Sequence, residues 1–275
     1  MKKIDRNSSL FDSDEYKKDR NQFHIVELCL LSPELLLYSD EKNYLICQGQ
    51  PGKPVWIWTV DGINADAMNE VAGLITEKYL TDATQCKFTA KREFYVFLKK
   101  IGYPYLNDDY FEMGSLECCQ VKCPRNCDGY SEKAVINDIE ILTKYWYDDS
   151  QEMTPLSTIT LQKAEEEIKE MIETANLWVW RNGEDKIVCM VHYRIVDNQV
   201  KLSHVYTPRE ERRKGYAANL IHNVTKMLLE MNLEPLLYTD YNYIASNQAY
   251  KNAGYTETGV LINFSCSQRG GNVFV

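Results

Sequence analysis

Ser203-His204-Val205-Tyr206-Thr207-Pro208-Arg209-Glu210-Glu211-Arg212-Arg213-Lys214-Gly215-Tyr216-Ala217-Ala218 is the stretch on which the reading of this chain turns. It reads as the end of a strand, a basic turn holding one glycine, and the start of a helix. A strand that enters a helix through such a turn gathers the free amides of the helix N-terminus at one point. Those amides, with the helix dipole, make a seat for phosphate. The ligand class indicated is therefore a phosphorylated cofactor.

Working outward from this turn, apolar alternation predicts strands over 177–181, 186–196 and 199–206. Asn182-Gly183 predicts a hairpin turn between the first two, and Asp197-Asn198 a second turn. Upstream, Leu161, Ala164, Ile168 and Ile172 form the buried stripe of a helix over 160–173. Its Glu165-Glu166-Glu167 run reads as a solvated face. Residues 135–147 read as another helix, and 148–157 as a polar connection. Downstream, Leu220, Ile221, Val224, Met227 and Leu228 mark a helix over 216–231. A strand over 235–239, a short helix over 246–252 stopped by Gly254, and a strand over 258–266 follow. The fold class expected is α/β (α+β), with a mixed, mostly antiparallel sheet and a crossover helix after the phosphate turn.

The first half reads separately. Strands are expected over 44–48, 55–60 and 111–121, and helices over 64–79 and 90–100, the second stopped by Gly102. Pro, Asn, Asp and Gly within 122–130 mark a linker. The domains expected are a flexible lead-in over 1–22, an N-terminal α/β domain over 23–129 and a C-terminal domain over 130–275.

Composition narrows the function. The 275 residues are 44% hydrophobic and 26% charged, an ordinary globular balance, with a net charge of −9. That charge argues against a broad nucleic-acid surface. No segment has the length of a transmembrane helix, and the charged start lacks the apolar core of a signal peptide, so the expected location is the cytoplasm. The nine cysteines are read as free thiols. Cys118, Cys119, Cys123 and Cys127 are clustered, but no C-x-x-C pair occurs among them and no histidine lies nearby, so no metal is expected.

The order of elements, with two motifs, resembles the GNAT superfamily of N-acetyltransferases. Arg212-Arg213-Lys214-Gly215-Tyr216-Ala217 fits the family's acetyl-CoA signature of Arg or Gln, two residues, Gly, one residue, then Gly or Ala. Asn247-Gln248-Ala249-Tyr250, followed by Gly254-Tyr255, fits the Asn, Tyr and Gly-aromatic placement of the same family. The resemblance covers roughly 160–265. Lys91 to Tyr103 echoes the helix-then-Gly-Tyr ending of the second half, and residues 23–129 are read as a degenerate second copy, with the sheet kept and the cofactor site lost, against the alternative of an unrelated α/β domain whose helix happens to end at Gly.

The resemblance implies acetyl transfer from acetyl-CoA to the primary amine of a small or amino-acid-like substrate, by direct attack in a ternary complex, in a monomer or homodimer. The amides of Arg212 through Ala218 then hold the pyrophosphate, with positive charge from Arg212, Arg213 and Lys214. Val205, Tyr206 and Thr207 are implied to splay from the neighbouring strand and pair with the pantetheine arm. The amide of Val205 or Tyr206 is implied to bind the thioester oxygen. Tyr250 is the candidate general acid, because a phenol is protonated at neutral pH and can donate to a leaving thiolate. Asn247 either caps its helix or bonds the pantetheine arm. Three residues near the strand ends are open as general base, His192, His204 and Asp240, and a water chain would also serve. The alternative function is a non-catalytic acyl-CoA-binding or regulatory protein. A purely structural module leaves the phosphate turn unexplained. Acidic and aromatic residues over 148–158 and at Tyr241-Asn242-Tyr243 suit a cationic acceptor.

Overall fold

A computed structural model of the chain describes residues 2–80, 85–153 and 159–268. They divide into two compact units: 1–115 with 239–242 and 257–275, and 116–238 with 243–256.

The first unit begins at the N-terminus. β1 (Lys2–Lys3) pairs antiparallel with β2 (Leu36–Ser39). Between them, a 3₁₀ turn over Ser9–Asp12 leads to α1 (Asp14–Asp19) and α2 (His24–Leu30). Leu10 and Tyr16 are 2% and 1% exposed. The first 22 residues are therefore not a flexible lead-in. Their charged periphery hides a few apolar side chains that lie too far apart to show a period. Asp19 also accepts from Trp58 Nε1 at 2.8 Å and pairs with Lys91 at 2.5 Å, so the segment is tied into the unit by a buried ion pair.

β3 (Tyr44–Gln48) and β4 (Val55–Thr59) continue the antiparallel run. α3 (Ala65–Tyr79) then crosses over to β5 (Cys86–Lys91), which lies parallel to β4. α4 (Arg92–Lys100) and β6 (Leu106–Glu117) follow. Ile46, Ile57, Val71, Ile75, Phe88 and Phe94 form the centre of this core.

The second unit, from Leu116, includes residues 122–130, read from their composition as a linker. Up to Gly129 they form instead a loop fastened to the helix that follows the phosphate turn. Asn219 Nδ2 donates to Arg125 O at 2.9 Å, Tyr216 Oη to Asp128 Oδ1 at 3.0 Å, and Trp180 Nε1 to Asp128 O at 2.9 Å. β7 (Tyr130–Lys133) then pairs with β8 (Leu177–Arg181). α5 (Ile139–Met153) starts later and ends later than its apolar pattern suggests, because nothing in Tyr147-Asp148-Asp149-Ser150 breaks a helix. Most of the expected polar connection after 147 is thus the last part of α5, and 154–158 lie outside the described residues. α6 (Leu161–Glu173) is capped by Thr160 Oγ1 on the amide of Lys163 at 3.2 Å, and it packs Ala164 and Ile168 beside α5. Within its acidic run, Glu167 accepts from Trp146 Nε1.

β8, β9 (Ile187–Val196) and β10 (Gln199–Tyr206) form an antiparallel meander. The β8–β9 loop is longer than a two-residue Asn-Gly turn. It closes by Asn182 N to Lys186 O at 3.0 Å, and Asp185, at φ +63°, takes the left-handed position instead of Gly183. α7 (Tyr216–Glu230) then crosses over to β11 (Glu234–Asp240), which runs parallel to β10. α8 (Ile244–Ala253) follows, and β12 (Thr256–Cys266) returns the chain to the first unit, pairing antiparallel with β5. The last strand therefore departs from the expected division at residue 130.

The strand orders are β1-β2-β3-β4-β5-β12-β6 in the first unit and β11-β10-β9-β8-β7 in the second. Both contain the same device, an antiparallel meander whose last strand reaches a parallel neighbour through one helix. Crossovers of this kind place the start of the helix at the strand end, where a ligand has access.

Candidate functional site

The site lies in the second unit, where β10 ends. The parallel register of β10 with β11 runs from Gln199↔Glu234 to Leu202↔Leu237 and stops there, although β10 continues to Tyr206 and β11 to Asp240. No pairing between the two strands continues over these last residues. On the other side, β10 keeps its partner β9, with Ser203 opposite His192 and Tyr206 opposite Met190. Three steps on β10 thus face two on β9, which leaves one extra residue in a bulge. His204 carries its strain at φ +54°. A non-glycine residue in a left-handed bulge bends the strand and re-aims its neighbours. Val205 packs against the α7 and α8 side, while Tyr206 is buried beside Tyr145 with ring centroids 5.4 Å apart. Thr207 Oγ1 donates to Cys189 Sγ at 3.2 Å.

The turn then enters α7. Gly215 is its N-cap at φ +94°, and no side chain caps the helix. The first backbone bond that closes on the cap is Asn219 N to Gly215 O. The amides of Tyr216, Ala217 and Ala218 thus stand at the helix start, where an anion is favoured by the dipole. A Cβ on Gly215 would approach nothing nearer than 3.6 Å, so it is the left-handed φ that calls for glycine here rather than clearance within the protein.

The basic side chains divide. Arg212 Nε donates to Thr207 O at 2.8 Å, and its Nη2 pairs with Glu152 at 2.7 Å. Arg209 also reaches Glu152, at 3.1 Å. Burial pulls the Glu152 carboxyl up, but the two arginines outweigh it and hold it below the usual carboxylate range. Lys214 pairs with Glu211 at 2.8 Å. Among the described residues Arg213, at φ +65°, has no ion pair. Arg212 and Lys214 therefore shape the turn, and the charge left for a phosphate comes from Arg213 and the open amides.

The corresponding turn of the first unit differs. Asn64 caps α3, its side-chain oxygen accepting from the amide of Ala67 at 2.9 Å, and Asp61 stands in the approach. A side chain there occupies the position that an anion would take. This is the physical sense in which the first unit keeps the crossover and lacks the seat.

Tyr250 lies on α8, 9% exposed, with its ring edge-on to Tyr255 at 6.2 Å. Burial, with the nearby Asp149 carboxylate and Cys189 thiol, raises its phenol well above the usual range, so it holds its proton at neutral pH. Cys189 is itself pushed up to about 12 by burial and is an inert thiol. Asn247 does not cap its helix: Tyr243 is the N-cap, and Asn247 sits one turn in, its amide donating to Tyr243 O at 3.2 Å. Its side-chain oxygen is buried.

The three candidate bases part company. Asp240 ends β11 and belongs to the first unit, accepting from Asn242 N at 2.9 Å. His192 is pushed down to about 4 by burial, with repulsion from His204, Lys201 and Arg194, and so is neutral at physiological pH. Its Nδ1 lies 3.3 Å from Ser203 Oγ. His204 Nδ1 lies 3.1 Å from Asp149 Oδ2, with the Trp146 ring edge-on at 3.7 Å between centroids.

Sequence reasoning placed Asp149 and Glu152 only in an acidic stretch suited to an acceptor, without their pairing to His204 and Arg212, and missed Asp128. The first two belong to the extension of α5, and their only signal was an aromatic-acidic helix end of the kind read as a loop. Asp128 lay within the supposed linker. All nine cysteines are free thiols, and among the described residues no three His, Cys, Asp or Glu side chains come together as a metal site. Likewise, no helix of the described residues is long and apolar enough to cross a membrane.

Residues 141–265 match the family model for the acetyltransferase (GNAT) domain. Among curated proteins no match was found. Solved structures resemble the chain in fold. One is an acetyltransferase of the GNAT family from Colwellia psychrerythraea, at 13% identity and a TM-score of 0.61, over 96% of this chain and 98% of that one. Another is a GCN5-related N-acetyltransferase from Sphaerobacter thermophilus, at 12% identity and a TM-score of 0.58, over 82% and 80%. A third, a GCN5-related N-acetyltransferase from Kribbella flavida, matches at 12% identity and a TM-score of 0.57, over 92% and 96%. The parting strand pair and the uncapped helix start thus lie within residues 141–265, the stretch that is similar to the GNAT acetyltransferase domain.

Proposed function

We propose that the protein transfers an acetyl group from acetyl-CoA to the primary amine of a small or amino-acid-like molecule, by direct attack in a ternary complex. The observation that carries this reading is the uncapped N-terminus of α7, set at the end of a strand that has lost its parallel partner and near a buried, protonated Tyr250.

Bound acetyl-CoA supplies an activated acyl group. The chain's residues do the rest. The amides of Tyr216, Ala217 and Ala218, with Arg213, hold the pyrophosphate. The free edge of β10 from Ser203 to Thr207 pairs with the pantetheine arm, and Asn247 adds a side-chain contact. The amide of Val205 or Tyr206, at the bulge, stabilises negative charge on the acyl oxygen. Tyr250 supplies a proton to the departing sulfur.

A free-thiol assay with acetyl-CoA against amino acids, polyamines, aminoglycosides and peptides tests the proposal. Thiol release that depends on one of these amines is expected. Tight acetyl-CoA binding with no transfer to any of them refutes it, in favour of a non-catalytic acyl-CoA-binding protein.

A further inference from the structure

His204 is placed by three independent features. It is the strained residue of the β10 bulge, at φ +54°, and histidine is among the few residues that tolerate that region. Its Nδ1 meets Asp149 Oδ2 at 3.1 Å. Its side chain is 37% exposed, whereas that of Asp149 is 11% exposed. A carboxylate oxygen only accepts, so Nδ1 carries a proton, and in the neutral ring the lone pair is on Nε2. Among the described residues Nε2 has no hydrogen-bond partner. The Trp146 ring walls one side of the imidazole. The titratable groups facing it are Asp149 from α5 and His192 from β9, the latter with its ring 6.3 Å away and neutral. Tyr250 from α8 is coupled to the same Asp149.

We propose that His204 is the general base of the transfer, accepting the acceptor's proton on Nε2, and that Asp149 is the positioning residue that fixes its tautomer and ring. The proposal rests on the transferase reading and assigns the group which that reading left open. The acceptor ammonium has three protons. His204 Nε2 takes the first, freeing the lone pair that forms the C–N bond as the C–S bond breaks. Tyr250 gives its proton to the sulfur and recovers one from the nitrogen, which keeps a single proton as the amide. His204 then releases its proton to water, so one proton is lost per turnover.

The geometry also explains why a strained residue persists here. A histidine in regular strand geometry would alternate to one face of the sheet and leave the strand end. The bulge lies where β10 runs on past its parallel register with β11, and there the ring meets Asp149 and Trp146.

The test uses the full chain with spermidine, glycine methyl ester, tyramine and kanamycin as acceptor probes. The variants are His204→Asn, which tolerates the left-handed φ, Asp149→Asn and His192→Gln. Acetyl-CoA binding, measured by calorimetry, reports folding of the donor site and is expected to stay within about twofold of wild type in all three. His204→Asn is expected to lower kcat by about 100-fold or more and to remove the acid limb of kcat/KM. Asp149→Asn is expected to lower kcat by about tenfold or more and to change the His204 tautomer in long-range ¹H–¹⁵N spectra, a signature that a purely structural role would not move. His192→Gln is expected to keep the acid limb. Wild-type transfer that survives in His204→Asn with the same rate and pH profile overturns the base and leaves the transferase reading standing. A wild type that binds acetyl-CoA and acetylates none of the probes overturns both.

Discussion

Replacing Gly215 by alanine separates two demands that the phosphate turn places on one residue. The backbone there is at φ +94°, and an added Cβ would meet only atoms at 3.6 Å and beyond. The stability cost is therefore conformational, about 1–2 kcal/mol for an L side chain held in the left-handed region. In a chain of this size that lowers Tm by about 3–6 °C. If the backbone relaxes toward negative φ, the amides at the start of α7 turn away from their common point. Each hydrogen bond to a charged group contributes about 1.5–3 kcal/mol, so the loss of one weakens acetyl-CoA binding by about 10- to 100-fold. Gly254→Ala provides the comparison. Gly254 is also left-handed, at φ +109°, but its Cβ would stand 2.4 Å from Gln120 O and 2.8 Å from Lys122 N, both backbone atoms. Strain and overpacking together cost about 3–5 kcal/mol. Thermal melts and calorimetric titration with acetyl-CoA measure both effects. An unchanged donor affinity in Gly215→Ala, alongside the expected fall in Tm, refutes the amide seat. A Tm loss equal to that of Gly254→Ala refutes the conformational account.

Tyr250→Phe removes one buried hydroxyl and is expected to lower kcat by about tenfold or more, with the acetyl-CoA KM unchanged; steady-state kinetics with the donor varied decide it, and an unaltered kcat removes Tyr250 from the chemistry. His192 has a native pKa of about 4 against about 6.5 unfolded, so between those values the unfolded chain binds more protons. Its contribution is full above about pH 6.5 and falls as the pH drops toward 4, by up to about 3 kcal/mol. Urea denaturation across that window should show a shallower slope in His192→Gln, and identical slopes would contradict the assignment. Lys91→Met strips the buried Asp19 carboxylate of its 2.5 Å partner and is expected to cost about 3–5 kcal/mol. A loss below about 1 kcal/mol in a denaturant titration would show that the pair does not tie the N-terminal segment to its unit.

What the sequence determined by itself was local in origin. The single glycine after three basic residues, the apolar stripe from Leu220 to Leu228 and the alternation through β8, β9 and β10 each depend on neighbours within a few positions, and they place the crossover and the uncapped helix start. The Gly254 stop and Tyr250 on the helix before it were legible for the same reason. The tertiary structure decided everything that depends on separation in space. The end of the β10–β11 ladder at Leu202↔Leu237 is set by strand twist and by a bulge that no composition announces. Glu152 takes up the charge of Arg212 across 60 residues, and Asp149 reaches His204 across 55. β12 pairs with β5 because a strand's partner is fixed by complementary edges, which sequence proximity does not reveal. The proposed phosphate seat can be read from a turn, because its amides are consecutive. The proposed His204–Asp149 pair cannot, because its members meet only when helix and sheet have packed.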